Sequence, residues 1–218
     1  MSNRGVFITL EGIDGCGKST QAELLCAWLE SQLGKGKILR TFEPGGWKGG
    51  EFLRNLLLGE TDLTFKTELL LFLADRGGHI DTEISPALQR GQWVVCERYT
   101  DSTIAYQSWG RGIPFEEISV LLDWCCFPTP DMTIFLEIDE KTAKHRTNKR
   151  GKSDRLETAG NDFTARVACG YKTLAERELN RIITVDAMPN MEQVAKSVRE
   201  AVGKKLADHL TRFAAQKG

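Results

Sequence analysis

The chain has 218 residues, 41% of them hydrophobic and 27% charged, with 29 basic against 30 acidic side chains and a net charge of −1. This length suits a single domain, 1–218, with a substantial core. No apolar run approaches the about 18–20 residues a membrane span needs, and the balanced charge argues against a general nucleic-acid surface. The six cysteines form no C-x-x-C pair, and "MSNRGVFITLEG" reaches an acidic residue too soon for a signal-peptide core. Neither a disulfide framework nor a zinc ribbon is indicated, and a cytoplasmic location is expected. His79, His145 and His209 are too scattered to suggest a protein-built metal cluster.

The first apolar run, "VFITLEG" (6–12), predicts a strand and leads into "GIDGCGKST" (12–20), which fits the phosphate-loop pattern G-x-x-x-x-G-K-[ST]. Leu25, Trp28, Leu29 and Leu33 then recur at helical spacing until Gly34 and Gly36 end the pattern. A phosphate loop must follow a strand and open a helix, and both conditions are met. Gly12, Ile13, Asp14, Gly15, Cys16, Gly17, Lys18, Ser19 and Thr20 would cradle the phosphates of a nucleotide. Lys18 would neutralise the β- and γ-phosphates of ATP, and the Ser19 hydroxyl would hold a Mg²⁺ that bridges them.

Further strands are predicted at 37–43, 92–98, 132–138 and 181–187, with helices near 49–59, 65–90, 115–126, 140–149, 160–179 and 191–214. Strands alternating with helices imply an α/β fold: a five-stranded parallel sheet flanked by helices in three layers. The N-K-x-D box of a GTPase is missing, because Asn148 and Lys149 are followed by Arg150 and Gly151. The "DRGG" at 75–78 lies in a helical stretch and carries no weight as a nucleotide box. Ligands of such sheets sit outside the carboxyl ends of the strands, which draws attention to "ERYTDSTIAYQ" (97–107). Glu97 would emerge near the phosphate loop, where a carboxylate can order water on Mg²⁺, and Arg98 beside it can grip a phosphate.

Together with "EPGG" (43–46), "LRNLLL" (53–58), "LLLFLADR" (69–76), "PALQRGQWVVCERYTDSTIAYQSWGRG" (86–112), "PDMTIFLEI" (130–138) and "RGKSDRLE" (150–157), these segments resemble the thymidylate kinases over nearly the whole length. The resemblance implies a P-loop nucleoside monophosphate kinase fold, phosphorylation of dTMP with ATP and Mg²⁺, and a homodimer, with the apolar segments 65–73 and 115–127 as possible contact surfaces. It further implies that Phe72 stacks on thymine with Arg76 one helical turn on, that Ser102 and Thr103 bond the pyrimidine edge, and that Tyr106 crowds the sugar 2′ position. Gln107 would join the same pocket, Asp14 would meet the acceptor sugar or its Mg²⁺ environment, and Glu43 and Pro44 would open the turn that approaches the acceptor phosphate. Without the resemblance, Phe72 reads as core packing, and Asp101 or Ser102 as the cap of an ordinary helix.

Three departures and one gap qualify the match. Glu97 stands where the family has aspartate, Phe42 where many relatives have arginine, and Trp47 where a small hydroxyl residue is usual; the sequence offers no reason for the last. Gly15 and Cys16 occupy the place where some relatives carry a catalytic arginine. The basic segment 145–157 resembles the lid of the bacterial-type enzymes, and from it Arg150 and Arg155 are expected to close on ATP. A kinase for another deoxynucleotide or deoxynucleoside, or a nucleotide-binding homologue with impaired turnover, remains the alternative.

Overall fold

The computed structural model describes residues 4–150, 156 and 160–215. Among them five strands form one parallel sheet: β1 (Phe7–Glu11), β2 (Ile38–Phe42), β3 (Trp93–Glu97), β4 (Met132–Glu137) and β5 (Ile182–Asp186). Their spatial order is β2-β3-β1-β4-β5. Each lies within its predicted run. β1 and β3 are buried along their whole length, as a sheet covered on both faces requires.

The register pairs Leu10 with Glu97 and Phe42 with Glu97, so β1, β2 and β3 end level. That alignment brings the turn after β2, the Glu97–Arg98 corner after β3 and the phosphate loop after β1 side by side on one edge. The strand order therefore sets the order of the site.

Helix α1 (Lys18–Leu33) buries Leu25 and Leu29 on the sheet, and Gly34 ends it. Then come α2 (Gly50–Leu58), α3 (Phe65–His79), α4 (Ser85–Gln89), α5 (Thr100–Thr103), α6 (Phe115–Cys125), α7 (Glu140–Arg150), α8 (Asn161–Arg177) and α9 (Met191–Ala215). The helix expected over 65–90 is divided by a π-turn at Ile80–Ile84, where Ser85 N–H bonds to Ile80 O. Pro86 follows at once and has no N–H to continue an ordinary ladder, which accounts for the change of pitch. A second π-turn, Ile104–Gly110, carries Tyr106 and Gln107.

The alternative use of Asp101 or Ser102 as a helix cap is not realised: α5 begins at Thr100 with no side-chain cap. Both side chains serve long-range contacts instead. Asp101 receives two bonds from Arg181, at 2.7 and 2.9 Å, while Ser102 donates to Glu11 at 2.6 Å. Of the two arginines expected to close on ATP, Arg150 is the last residue of α7 and its side chain lies outside what is described, as does Arg155 entirely.

Leu25 is 1% exposed in the main core. Leu25→Ala should lower the unfolding free energy by about 2–5 kcal/mol in chemical denaturation, and a loss below about 1 kcal/mol would mean that α1 is not seated as described.

Candidate active site

β1 stops at Glu11, and Gly12, Gly15 and Gly17 turn the chain into α1 with φ values of 141°, 86° and 96°. Glycine adopts such angles without strain, which is why the pattern fixes it at 12 and 17. No side chain caps α1, so the unpaired N–H groups of its first turn and the positive end of its dipole are left for an anion. Lys18 is folded back on the loop: its ammonium donates to the carbonyls of Gly12 at 2.9 Å and Ile13 at 3.0 Å, with Asp14 at 3.7 Å.

The missing loop arginine has a steric cause. A Cβ on Gly15 would strike the carbonyl oxygen of Ala143 and come within 2.8 Å of Thr147 Oγ1. Helix α7 fills the space that a side chain at 15 would need, and Cys16, 2% exposed, packs into the core.

Ser19 donates its hydroxyl to Glu97 Oε2 at 2.5 Å. The extra methylene of Glu97, relative to aspartate, thus spans to the loop hydroxyl itself. Arg40 holds the other carboxylate oxygen at 3.2 Å and also donates to Ser19 O at 3.0 Å. This pairing makes use of the arginine that lies two residues further back on β2 than the family position.

Arg98 sits at φ 67°, a left-handed conformation that costs a non-glycine residue about 1–3 kcal/mol and persists only where its surroundings enforce it. Its guanidinium donates to Asp14 at 2.6 Å and Tyr106 at 3.1 Å, with longer contacts of 3.4 Å to Gly12 O, Ser102 and Tyr171. Burial opposes ionisation of Asp14, but Arg98 and Lys18 outweigh it and hold the carboxyl well below the usual range. Burial likewise opposes the charge on Arg98, and Asp14 reverses the balance, pushing its pKa up. Beneath this pair, buried Glu11 accepts from Tyr99 N–H, Ser102 and Tyr171, while burial and neighbouring Asp101 raise its pKa.

Arg76 on α3 is 2% exposed and gives its donors to Glu43 at 2.7 Å, Thr103 Oγ1 at 2.7 Å and Tyr99 O at 2.9 Å. Glu43 also pairs with His79 Nδ1 at 3.0 Å, and His79 Nε2 meets Thr41 at 2.6 Å. His79 and Glu43 therefore form a satisfied internal network with Arg76. Cys96 brings a third possible ligand atom within 4.8 Å, yet these neighbours already take the protein's own partners.

A cavity of about 640 Å³ opens between these elements. It is lined by Asp14, Gly15, Gly17, Lys18, Ser19 and Thr20 of the loop, and by Glu43, Pro44, Phe72, Arg76, Glu97, Arg98, Ser102, Thr103, Tyr106 and Gln107 beyond it. Gly12, Ile13 and Cys16 shape the loop from behind. Arg76 and Ser102 reach the cavity wall with their polar groups largely committed to protein. Gln107 donates to Glu68 at 3.2 Å.

Six further residues complete this wall, Arg40, Phe42, Arg54, Leu58, Arg146 and Leu156, and none of them is among the site residues predicted from the sequence. Arg54 was legible only as part of "LRNLLL". In the fold its guanidinium donates to Pro44 O at 2.7 Å and lies 5.2 Å over the Phe42 ring, so the cation lost at 42 is replaced from α2. Arg146 donates to Ala187 O and Met188 O beyond β5.

The thymidylate kinase family model matches residues 10–198. The chain belongs to the thymidylate kinase family. It is 44% identical over 214 residues to a thymidylate kinase of Alkalilimnicola ehrlichii, covering 96% of each chain. To that of Gluconobacter oxydans it is 41% identical over 211 residues, or 94% of this chain and 98% of the relative. The crystal structure of thymidylate kinase from Ehrlichia chaffeensis is similar with a TM-score of 0.78 at 32% identity, over 91% of this chain and 99% of that one. Within this family's fold, the loop without arginine and the Glu97–Arg40 pair are features of this chain that its own packing explains.

Asp14→Asn should destabilise the protein by about 1.5–3 kcal/mol at neutral pH, the cost of depriving Arg98 of a charged partner. Because the folded pKa of Asp14 lies below its ordinary 3.8, the stabilisation is complete above that value and is lost as the pH falls further. Denaturation curves of the two proteins should converge only in acid; a gap that stayed constant down to pH about 2 would contradict the assignment.

Proposed function

We propose that this member of the family transfers the γ-phosphate of ATP to dTMP, giving dTDP and ADP, and that the cavity holds both nucleotides at once. The observation that carries the reading is that the phosphate loop and the Phe72–Thr103–Tyr106 group line one continuous space. In it Lys18 exchanges its carbonyl partners for phosphate oxygens, with the loop amides and the α1 dipole completing the donor site. Phe72 offers its ring to thymine, and Thr103, whose oxygen is occupied by Arg76, keeps its proton to donate to a carbonyl of the base.

Tyr106, held by Arg98 and Asp14, closes the sugar side. Arg54 and Arg98 place positive charge on the acceptor phosphate, where a loosely bonded transition state is stabilised by surrounding charge more than by covalent help. The hydroxyl of Ser19 and the carboxylate of Glu97 are hard oxygen donors already in contact, a set that suits Mg²⁺. Bound there, Mg²⁺ would neutralise charge on the donor phosphates. In this reading 1–218 is one domain, and Arg150 and Arg155 belong to a lid at about 145–157 that supplies the cation the loop lacks.

A homodimer is part of the same reading. Leu70 on α3 is 56% exposed, Val120 and Trp124 on α6 are 68% and 82% exposed, and both helices share the small core of Leu69, Leu73 and Ile118. A large apolar face of this kind suits a second copy. Val120→Asp should shift the protein from dimer to monomer in sedimentation equilibrium, and a wild-type protein that sediments as a monomer would refute the pairing.

Incubation with MgATP and a panel of nucleoside monophosphates should convert dTMP and leave purine nucleotides untouched. Phe72→Ala should raise KM for dTMP by about tenfold or more with little effect on KM for ATP. Arg150→Ala and Arg155→Ala should lower kcat more than they weaken dTMP binding. Equal turnover in both arginine variants and wild type would remove the lid from the catalytic account.

A further inference from the structure

The indole of Trp47 does not line the cavity, yet it touches Asp75, which holds the turn after β2, and the glycines of α2 and α3 beside it. Its Nε1–H donates to Asp75 Oδ1 at 2.9 Å, and the other oxygen of the same carboxylate accepts from Gly45 N–H, also at 2.9 Å. Asp75 is 1% exposed and immediately precedes Arg76, whose guanidinium binds Glu43 at the start of that turn. One carboxylate is thus gripped from both sides. With only one donor it could rotate; with two its plane is fixed, and Gly45 is fixed with it.

The ring itself occupies a socket made of glycines. A Cβ added to Gly78 would come within 2.5 Å of Trp47 Cζ2, and one on Gly50 within 2.7 Å of Trp47 Cδ1; Gly49 faces the ring in the same way. None of the three has a positive φ, so the backbone does not demand glycine at any of them. Gly78 lies inside α3, where glycine is unfavourable relative to alanine. Its neighbour Gly77 meets nothing within 4 Å. The three atoms nearest to a Cβ at Gly78 all belong to the indole.

We propose that Trp47 is a positioning residue for the acceptor phosphate: a wedge between α2 and α3 that locks Asp75, and through it the Glu43–Gly46 turn, with Gly78 as its obligatory counterpart. A small hydroxyl residue at 47 could donate one hydrogen bond, but it could not also fill the socket. The proposal rests on the reading of the cavity as a dTMP site.

The test is a set of four variants. Trp47→Phe keeps a ring in the socket and removes the N–H; it should raise KM for dTMP by about tenfold while kcat and KM for ATP stay within about twofold. Gly78→Ala should raise KM for dTMP comparably, whereas Gly77→Ala, in open space, should leave it unchanged. In a Trp47→Ala background Gly78→Ala should add nothing, since the clash is gone. A uniform fall in all kinetic constants with Trp47→Phe, an unchanged KM for dTMP, or an undiminished effect of Gly78→Ala beside Trp47→Ala would each overturn the proposal.

A second readout does not depend on the substrate. Hydrogen exchange at the Gly45 amide, followed by nuclear magnetic resonance, should accelerate about tenfold or more in Trp47→Phe relative to amides of the β1–β3 ladder. Equal exchange in variant and wild type would overturn the wedge. Failure of the wild type to phosphorylate dTMP, with Gly45 exchange still responding to Trp47, would instead sink the functional reading and leave the wedge intact.

Discussion

The site depends on one ion pair, Arg98 with Asp14. Arg98 leaves β3 in a backbone conformation that few side chains tolerate, and its guanidinium reaches across to the phosphate loop at 2.6 Å. Strain of this kind survives only where the surrounding contacts over-determine it. Here Asp14, Tyr106 and the Gly12 carbonyl do so on one side, while Tyr171 and Ser102 link the same group to buried Glu11. The pair joins the end of β3 to the phosphate loop after β1, the two elements to which the proposed function gives the acceptor and the donor. Two nucleotides bound by separate elements can react only if those elements keep a fixed distance.

On the acceptor side the same logic recurs with buried charge. Glu43, Arg76, His79 and Asp75 are each at most 5% exposed, and a polar group left without a partner there would be destabilising. Every one of them has a partner, and the partners belong to different elements: β2, its following turn, α3 and α5. The network therefore costs little to maintain once folded and resists any rearrangement of a single member. Hydrophobic burial holds the sheet and helices together; these polar contacts decide where the turn after β2 sits relative to α3.

Much of this was readable in the sequence. The five strands were visible because fully buried parallel strands are short, continuous apolar runs, and the glycines at 12, 15 and 17 marked a loop with an unusual backbone. The π-turn at Ile80–Ile84 was not visible, since nothing in the periodicity of 65–90 announces a change of pitch short of Pro86, and no spacing in 97–107 announced the second at Ile104–Gly110. Arg54 escaped notice because its importance lies in what it touches, Pro44 and Phe42 on another element, and Arg40 could be seen on the Phe42 face of β2 but not its contact with Glu97 on the neighbouring strand. Local spacing alone would make Asp101 or Ser102 a helix cap, while the fold takes their side chains for Arg181 and Glu11, contacts that no local pattern announces. Trp47 could be explained only when Gly78, thirty-one positions away, came into contact with it.

The most direct measurement is a double-mutant cycle on Asp14 and Arg98, read as kcat/KM for dTMP. If the ion pair sets the geometry of the site, Asp14→Asn should cost wild type on the order of tenfold or more, yet cost almost nothing in protein that already carries Arg98→Lys. Losses that simply multiply in the double variant would show that the two residues act independently and would contradict the account.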